Sequence, residues 1–447
     1  MRTVIEHAAI ATVDHASNEY ADGHVVIEDG RITAVGPGPA PEGAVDRRID
    51  GSGCLVTPGF VNTHHHLYQW ATRGYAPESD LFGWLTTLYP VWARLTDVEF
   101  YAAASAGLAK LALSGCTLAA DHCYLHPREG GDVFGAVVRG AERVGIRLLG
   151  VRGSMDRGES HGGLPPDSVV ETTEAALLAT EEAIKRFHDP SPAAMIQVAV
   201  GPCSPFTVSK ELMREGAELA RRTGTRLHTH LAETVDEEEQ CLAEFGVKPI
   251  DYADELGWLA DDVWLAHGIH FDDAAIDRLG ASQTGVAHCP SSNARIAAGM
   301  APVRALLDAG APVGLGVDGA ASHEAGGLAG ELQEALYVAR WRDGATALTP
   351  RQALWLATMG GARCLGRQNE LGSLEVGKLA DLAVWRLSGL DHAGIMDPVA
   401  ALVFSDVPPL ALLLVGGEAV VESDELLTTS EAEIAAELAV VGRRMAS

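Results

Sequence analysis

The sequence predicts an α/β fold, a closed (β/α)8 TIM-type barrel with a small composite β-domain assembled from both chain ends. Three observations predict it. From Leu55 onward, eight short apolar runs alternate with longer Ala/Leu-rich helical stretches, as a parallel α/β domain requires. Every run closes in polar residues at its C-terminal end, the face on which barrels of this kind build active sites. Strand-and-turn patterning is confined to the first fifty residues and to the stretch after residue 365.

Taken in chain order, the N-terminal layer reads as a strand at Val25 to Glu28, the turn pair Asp29-Gly30, and a strand from Ile32 to Val35 that ends at Gly36. The eight runs are LVTPGFVNTHHH from Leu55, CTLAADH from Cys116, IRLLGVRGS from Ile146, IQVAVGPCSP from Ile196, RLHTHLAE from Arg226, VWLAHGIH from Val263, TGVAHCP from Thr284 and PVGLGVDG from Pro312. After Arg363, ELGSLEVGKLADLAVWRL and LLLVGGEAVVESD return to short strands with Gly turns and are expected to join the N-terminal strands. The expected boundaries are 1–56 and 366–447 for the two parts of the β-domain and 57–365 for the barrel. Ser430 to Ser447 reads as an amphipathic helix, expected on its own subunit rather than on a neighbour.

A chain of 447 residues can bury a sizeable core. Its 61 acidic against 33 basic residues give a formal charge of -28, which repels nucleic acid and anionic membrane and leaves small molecules or protein subunits as partners. No signal-like opening and no long apolar run is present, so a cytoplasmic location is expected. The seven scattered cysteines form no C-x-x-C pair and read as reduced thiols.

The chemistry gathers at the run ends. Alternation along an extended strand sends His64 and His66 into the barrel mouth together and His65 the other way, a two-ligand clamp for a metal. The same rim receives His228, His230 and Glu233 from run five, His267 and His270 from run six, His288 from run seven and Asp318 from run eight. Converging imidazoles and one carboxylate suit a borderline divalent ion such as zinc or iron, and three His with one Asp leave a position open for water.

PGFVNTHHHLYQ, HTHLAE at His228 to Glu233, the strand-end His267 and GVDG around Asp318 together resemble the amidohydrolase superfamily, in its mononuclear cyclic-amidine deaminase branch. The likeness spans practically the whole chain. Within the branch, the segment after His66, GPCSPFTVS from Gly201 and GVAHCPSSNARIAAG from Gly285 look most like the 8-oxoguanine deaminase subfamily. The resemblance implies one divalent ion, zinc first and iron second, held by His64, His66, His230 and Asp318, with its water acidified toward ~7. It implies that Asp318 takes that water's proton, that Glu233 protonates a ring nitrogen and then the departing ammonia, and that His267 orients the attacking oxygen, direct contact with the ion being left open. Binuclear members bridge their ions with a modified lysine at strand four, and run four has no lysine. A homo-oligomer is expected from the same likeness.

Gln69 can donate and accept at a purine edge, or be a capping or surface residue. The family pattern brings the backbone near Cys203 to the ring, while its thiol is read as a packing group rather than a nucleophile. His288 is expected to orient Asp318, against the alternative of a core histidine. His122 and Cys123 are given even odds of lining the pocket; His65, His228 and His270 are read as structural, and Trp84 and Trp92 as core within a segment that could cover the site. The reaction expected is hydrolytic deamination of an amino-substituted heterocycle, 8-oxoguanine to uric acid first, with isocytosine, guanine or a pterin as related substrates. The rivals are a triazine hydrolase, an adenosine-type nucleoside deaminase, and a metal-free scaffold that would have shed ligands this chain keeps.

Overall fold

The computed structural model describes residues 1–446. It has two sheets, and the (β/α)8 prediction is met by the second. The barrel strands are β1 (Phe60–Asn62), β2 (Cys116–Cys123), β3 (Arg147–Ser154), β4 (Ile196–Pro202), β5 (Leu227–Leu231), β6 (Val263–His267), β7 (Gly285–His288) and β8 (Val313–Leu315), all paired in parallel with their neighbours in chain order. The ring closes where Thr63 N donates to Leu315 O at 2.9 Å and Asp318 N to His64 O at 3.1 Å. Val61, Leu118, Leu149, Val151, Ala199, Trp264 and Ala287 fill the interior, so the barrel is a packed core and its chemistry is confined to the mouth.

The other sheet mixes the two ends of the chain. Cys54–Pro58 lies between Arg2–Ala11, its parallel partner, and Leu382–Arg386, its antiparallel one. Here run one is corrected: its first residues belong to this sheet, and only Phe60–Asn62 enters the barrel. The break falls at Gly59, where a Cβ would come within 2.3 Å of the Thr117 side chain. The Asp29-Gly30 turn is formed with both residues at positive φ, 49° and 78°, the geometry of a tight hairpin.

Helix starts follow their caps: Thr96 with Glu99 forms a capping box ahead of Asp97–Ala112, and Ser209 and Asp272 cap Lys210–Thr223 and Asp273–Ser282. The tail helix, Glu431–Ala446, buries Ile434, Val441 and Met445 within its own chain, and Arg143 bridges to Glu437 at 2.6 Å; Ser447 lies outside the described residues. No helix among the described residues is long and apolar enough to cross a membrane.

Candidate active site

Six polar side chains from four strand ends meet at the barrel mouth. His64 and His66 follow β1, with ring centroids 4.7 Å apart; His230 ends β5, His267 ends β6, and Asp318 follows β8. His66 Nε2 lies 3.0 Å from His230 Nε2, and Asp318 Oδ1 lies 3.4 Å from His64 Nε2 and 3.3 Å from His66 Nε2. Glu233, three residues past His230, brings Oε1 to 3.5 Å from His267 Nε2. All six are buried.

The backbone is bent to aim them. Ala232, His267 and Asp318 have φ of 54°, 71° and 60°, left-handed values that cost an L-residue about 1–2 kcal/mol each. All three lie where a barrel strand gives way to its loop, so the strain serves to redirect side chains into the mouth.

Hydrogen bonds around the imidazoles fix their tautomers. His66 Nδ1 faces His122 O at 2.8 Å and His230 Nδ1 faces Cys203 O at 2.6 Å; carbonyls only accept, so both Nδ1 atoms carry the proton and both Nε2 atoms present lone pairs. His228 donates from Nδ1 to Trp264 O at 2.8 Å, so its Nε2 accepts from His64 Nδ1 at 2.8 Å, and His64 Nε2 too is a lone pair, buried without a hydrogen-bond partner. Three lone pairs and a carboxylate oxygen therefore converge with no proton between them, an arrangement that a divalent cation resolves. His122 also lies within 4.8 Å of His64 and His230 in this group.

Electrostatics separate the two carboxyls. Burial opposes ionisation of Asp318, yet the His64, His267 and His66 imidazoles hold it well below the ordinary range. Burial pushes Glu233 up to about 7. His267 is lowered by burial, but Glu233 and Asp318 outweigh this and raise it. Burial lowers His64 and His230 strongly, favouring the neutral, ligating form.

The cavity in front of these groups encloses about 410 Å³ of space between atoms, the part open to solvent included. Trp84, Leu85, Tyr89, Tyr124 and Phe206 give it flat apolar walls. Trp84 Nε1 donates to Ala321 O at 3.1 Å, so Leu81–Trp92 does cover the site, with Trp84 in its wall. Gln69 lines the cavity, is buried and leaves Oε1 without a partner; a Cβ at Gly319 would come within 1.8 Å of that oxygen, so only glycine leaves it room. Cys203 lines it too, its thiol pushed up to about 12 by burial and thus no nucleophile at neutral pH.

Other expectations need correction. His288 does not touch Asp318: both its ring nitrogens are unpartnered, and Ser292 Oγ donates to Asp318 Oδ2 at 2.6 Å instead. The physical reason is that Pro290–Arg295 turns into helix directly after β7 and carries Ser292 over the carboxylate. His122 stands behind the cavity wall, stacked on His230 at 4.9 Å with Nε2 donating to Gly201 O, and Tyr124 takes the lining position. His228 holds the His64 tautomer, as described above. Sequence reasoning missed Tyr89, Tyr124, Ser292 and Asn293, whose Oδ1 accepts from His267 Nδ1 at 3.0 Å; Tyr124 was readable, since it stands two residues past His122, just beyond the end of β2.

Residues 55–420 match the Amidohydrolase family, and the chain belongs to it. In sequence it is similar to 8-oxoguanine deaminase from Pseudomonas aeruginosa, with 49% identity over 403 residues and 89% of each chain covered. It is 35% identical over 442 residues to hydroxydechloroatrazine ethylaminohydrolase from Pseudomonas sp. strain ADP, covering 94% of this chain and 91% of that one. In structure it is similar to atrazine chlorohydrolase TrzN from Arthrobacter aurescens TC1 complexed with zinc, at TM-score 0.93 and 31% identity, covering 98% and 99% of the two chains.

Proposed function

We propose that the protein is a metal-dependent aminohydrolase of amino-substituted nitrogen heterocycles, acting first on 8-oxoguanine: 8-oxoguanine and water give uric acid and ammonia. One observation carries the reading: a buried carboxyl, Glu233, stands beside His267 in front of three unprotonated imidazole nitrogens, in a cavity with flat apolar walls. The 49% identity to an 8-oxoguanine deaminase supports the substrate.

His64, His66, His230 and Asp318 would hold one divalent ion, zinc before iron. Such an ion supplies a nucleophilic water at neutral pH. With that ion bound, Asp318 would accept the proton that the water gives up. Glu233, held near neutrality by burial, donates a proton to a ring nitrogen and then delivers one to the departing amine. His267, anchored on Asn293, has its protonated form favoured by Glu233 and Asp318, so that Nε2–H donates to the developing oxyanion. Gln69 offers its free amide oxygen to the purine edge, and the backbone from Cys203 onward borders the ring. The Leu81–Trp92 cover keeps bulk water from the reacting atoms.

We infer a homo-oligomer in the cytoplasm. Seven buried free thiols suit a reducing compartment, and the exposed Tyr337 and Trp341, one turn apart on a helix, with Phe404 beside Tyr337, offer apolar surface to a second copy. The likeness to triazine hydrolases favours one second reading, displacement of chloride or an alkylamine from a triazine at the same site. The test is kcat/KM of zinc-loaded protein on 8-oxoguanine, isocytosine, guanine, isoxanthopterin, adenosine and a chlorotriazine. A value for 8-oxoguanine at least tenfold above all others supports the proposal; a higher value for adenosine or the triazine overturns the substrate.

A further inference from the structure

We propose that Glu237 is a positioning residue, whose carboxylate clamps the peptide bearing Glu233 and so keeps the Glu233 carboxyl on His267. The inference rests on the reading of Glu233 as proton carrier.

The chain turns sharply after β5. Because Ala232 adopts φ of 54°, two successive backbone N–H groups converge on one point, a concavity suited to an anion. Glu237 fills it: Oε1 accepts from Ala232 N at 2.8 Å and Oε2 from Glu233 N at 3.1 Å. The other side of the same peptide is tied to the loop after β6, since Ala232 O accepts from Ile269 N at 2.8 Å and from His270 N at 3.0 Å. Ala232 is thus the joint between the segment bearing Glu233 and the segment bearing His267, and Glu237 locks one half of it.

Helix stability alone does not ask for this contact. In a capping box the carboxylate at the third helical position reaches back to the N-cap N–H, which here would be that of Thr234. Glu237 occupies that third position in Val235–Phe245 but reaches past Thr234, to the one residue before it and the one before that. The first-turn N–H is satisfied separately, by Thr234 Oγ1. Glu237 is buried, does not line the cavity and so acts only through the loop it holds. The two donated N–H groups offset part of the cost of burying its charge, and burial still pushes the carboxyl up to about 7.

The test is a double-mutant cycle with Glu233→Gln, measured on zinc-loaded protein with the best heterocycle of the panel, plus crystal structures of the single variants. Misplacing a reacting group by about 1 Å costs roughly 100-fold. Glu237→Ala, which removes both acceptors, is therefore expected to lower kcat by about that factor. Glu237→Gln keeps one acceptor and is expected to lose roughly tenfold, with KM, zinc content and circular dichroism unchanged. In the Glu233→Gln background, Glu237→Gln should change kcat by less than about twofold. The Glu237→Gln crystal structure should find the Glu233 carboxyl displaced from His267. An equal loss in both backgrounds, or an undisplaced Glu233 carboxyl, overturns the proposal and leaves the functional reading intact. Full kcat in Glu233→Gln alone overturns that reading and this inference with it. Should the Ala variant fail to fold, the Gln variant carries both arms.

Discussion

His66 and His230, delivered by β1 and β5, point Nε2 at Nε2 across 3.0 Å while both Nδ1 atoms are spent on carbonyl oxygens. Two lone pairs held that close repel unless a cation or a proton lies between them, and burial lowers the proton affinity of both rings. A ligand that binds the folded state alone stabilises it by about 4 kcal/mol at a thousand times its Kd. Chelation should therefore lower the melting temperature by several degrees, and zinc should restore it. His230→Ala should hold less than a tenth of the parent's zinc and show no such recovery; a chelator-insensitive melting temperature in the parent would argue against a metal at this site.

In the proposed reaction Glu233 carries protons and does not bind the ion. Its substitution by Gln should lower kcat by about 10²–10⁴-fold, the usual worth of general acid–base catalysis, with zinc content unchanged by elemental analysis. Loss of zinc together with activity would place Glu233 among the ligands instead.

Ser292 and His288 should part company. Ser292→Ala strips Asp318 Oδ2 of a 2.6 Å donor, leaving the 3.3 Å contact from Ser322, and should reduce zinc affinity and kcat by about tenfold, a hydrogen bond to a charged group being worth about 1.5–3 kcal/mol. His288→Leu removes two buried nitrogens that bond to nothing, so kcat should stay within about twofold and stability should hold or rise. Steady-state kinetics and urea melts of the two variants decide, and a larger kcat loss at His288 would restore it to the site.

Asp121 gives the protein a pH-dependent cost. Its Oδ1 accepts from Leu67 N at 2.7 Å, its Oδ2 has no partner, and burial pushes the carboxyl up to about 7. An unfolded aspartate titrates near ~3.9, so between there and about 7 the folded chain keeps a proton that the unfolded chain has released. Stability from this group accordingly falls as pH rises through that window and levels off above it. Asp121→Asn keeps the acceptor for Leu67 N and removes the titration, so its stability relative to the parent should rise with pH, by at most ~4 kcal/mol. Urea melts at pH 4.5 and pH 8 test this; a pH-independent difference contradicts it.

The barrel was legible because each parallel strand is an apolar run with a polar end, and the imidazoles because alternation, carried on past the end of β1 and along β5, sorts His64, His66 and His230 from their neighbours. What escaped lies off the strands. Ser292 and Asn293 come from a short helix whose start depends on Cys289-Pro290, and its direction over Asp318 is set by tertiary packing. Leu55–Pro58 is as apolar as any barrel strand, and only its partners, Arg2–Ala11 and, more than 300 residues later, Leu382–Arg386, assign it to the other sheet. Alternation gives the face of His122 but not its depth, and stacking on His230 uses up the ring that might have lined the pocket.

The most direct test of the account is the product formed from 8-oxoguanine by the zinc-loaded protein, followed by chromatography with ammonia measured in parallel. The account predicts uric acid and ammonia in equal amounts, formed by the parent and nearly abolished in Glu233→Gln. Unchanged 8-oxoguanine in the presence of bound zinc, or turnover indifferent to Glu233, would contradict it.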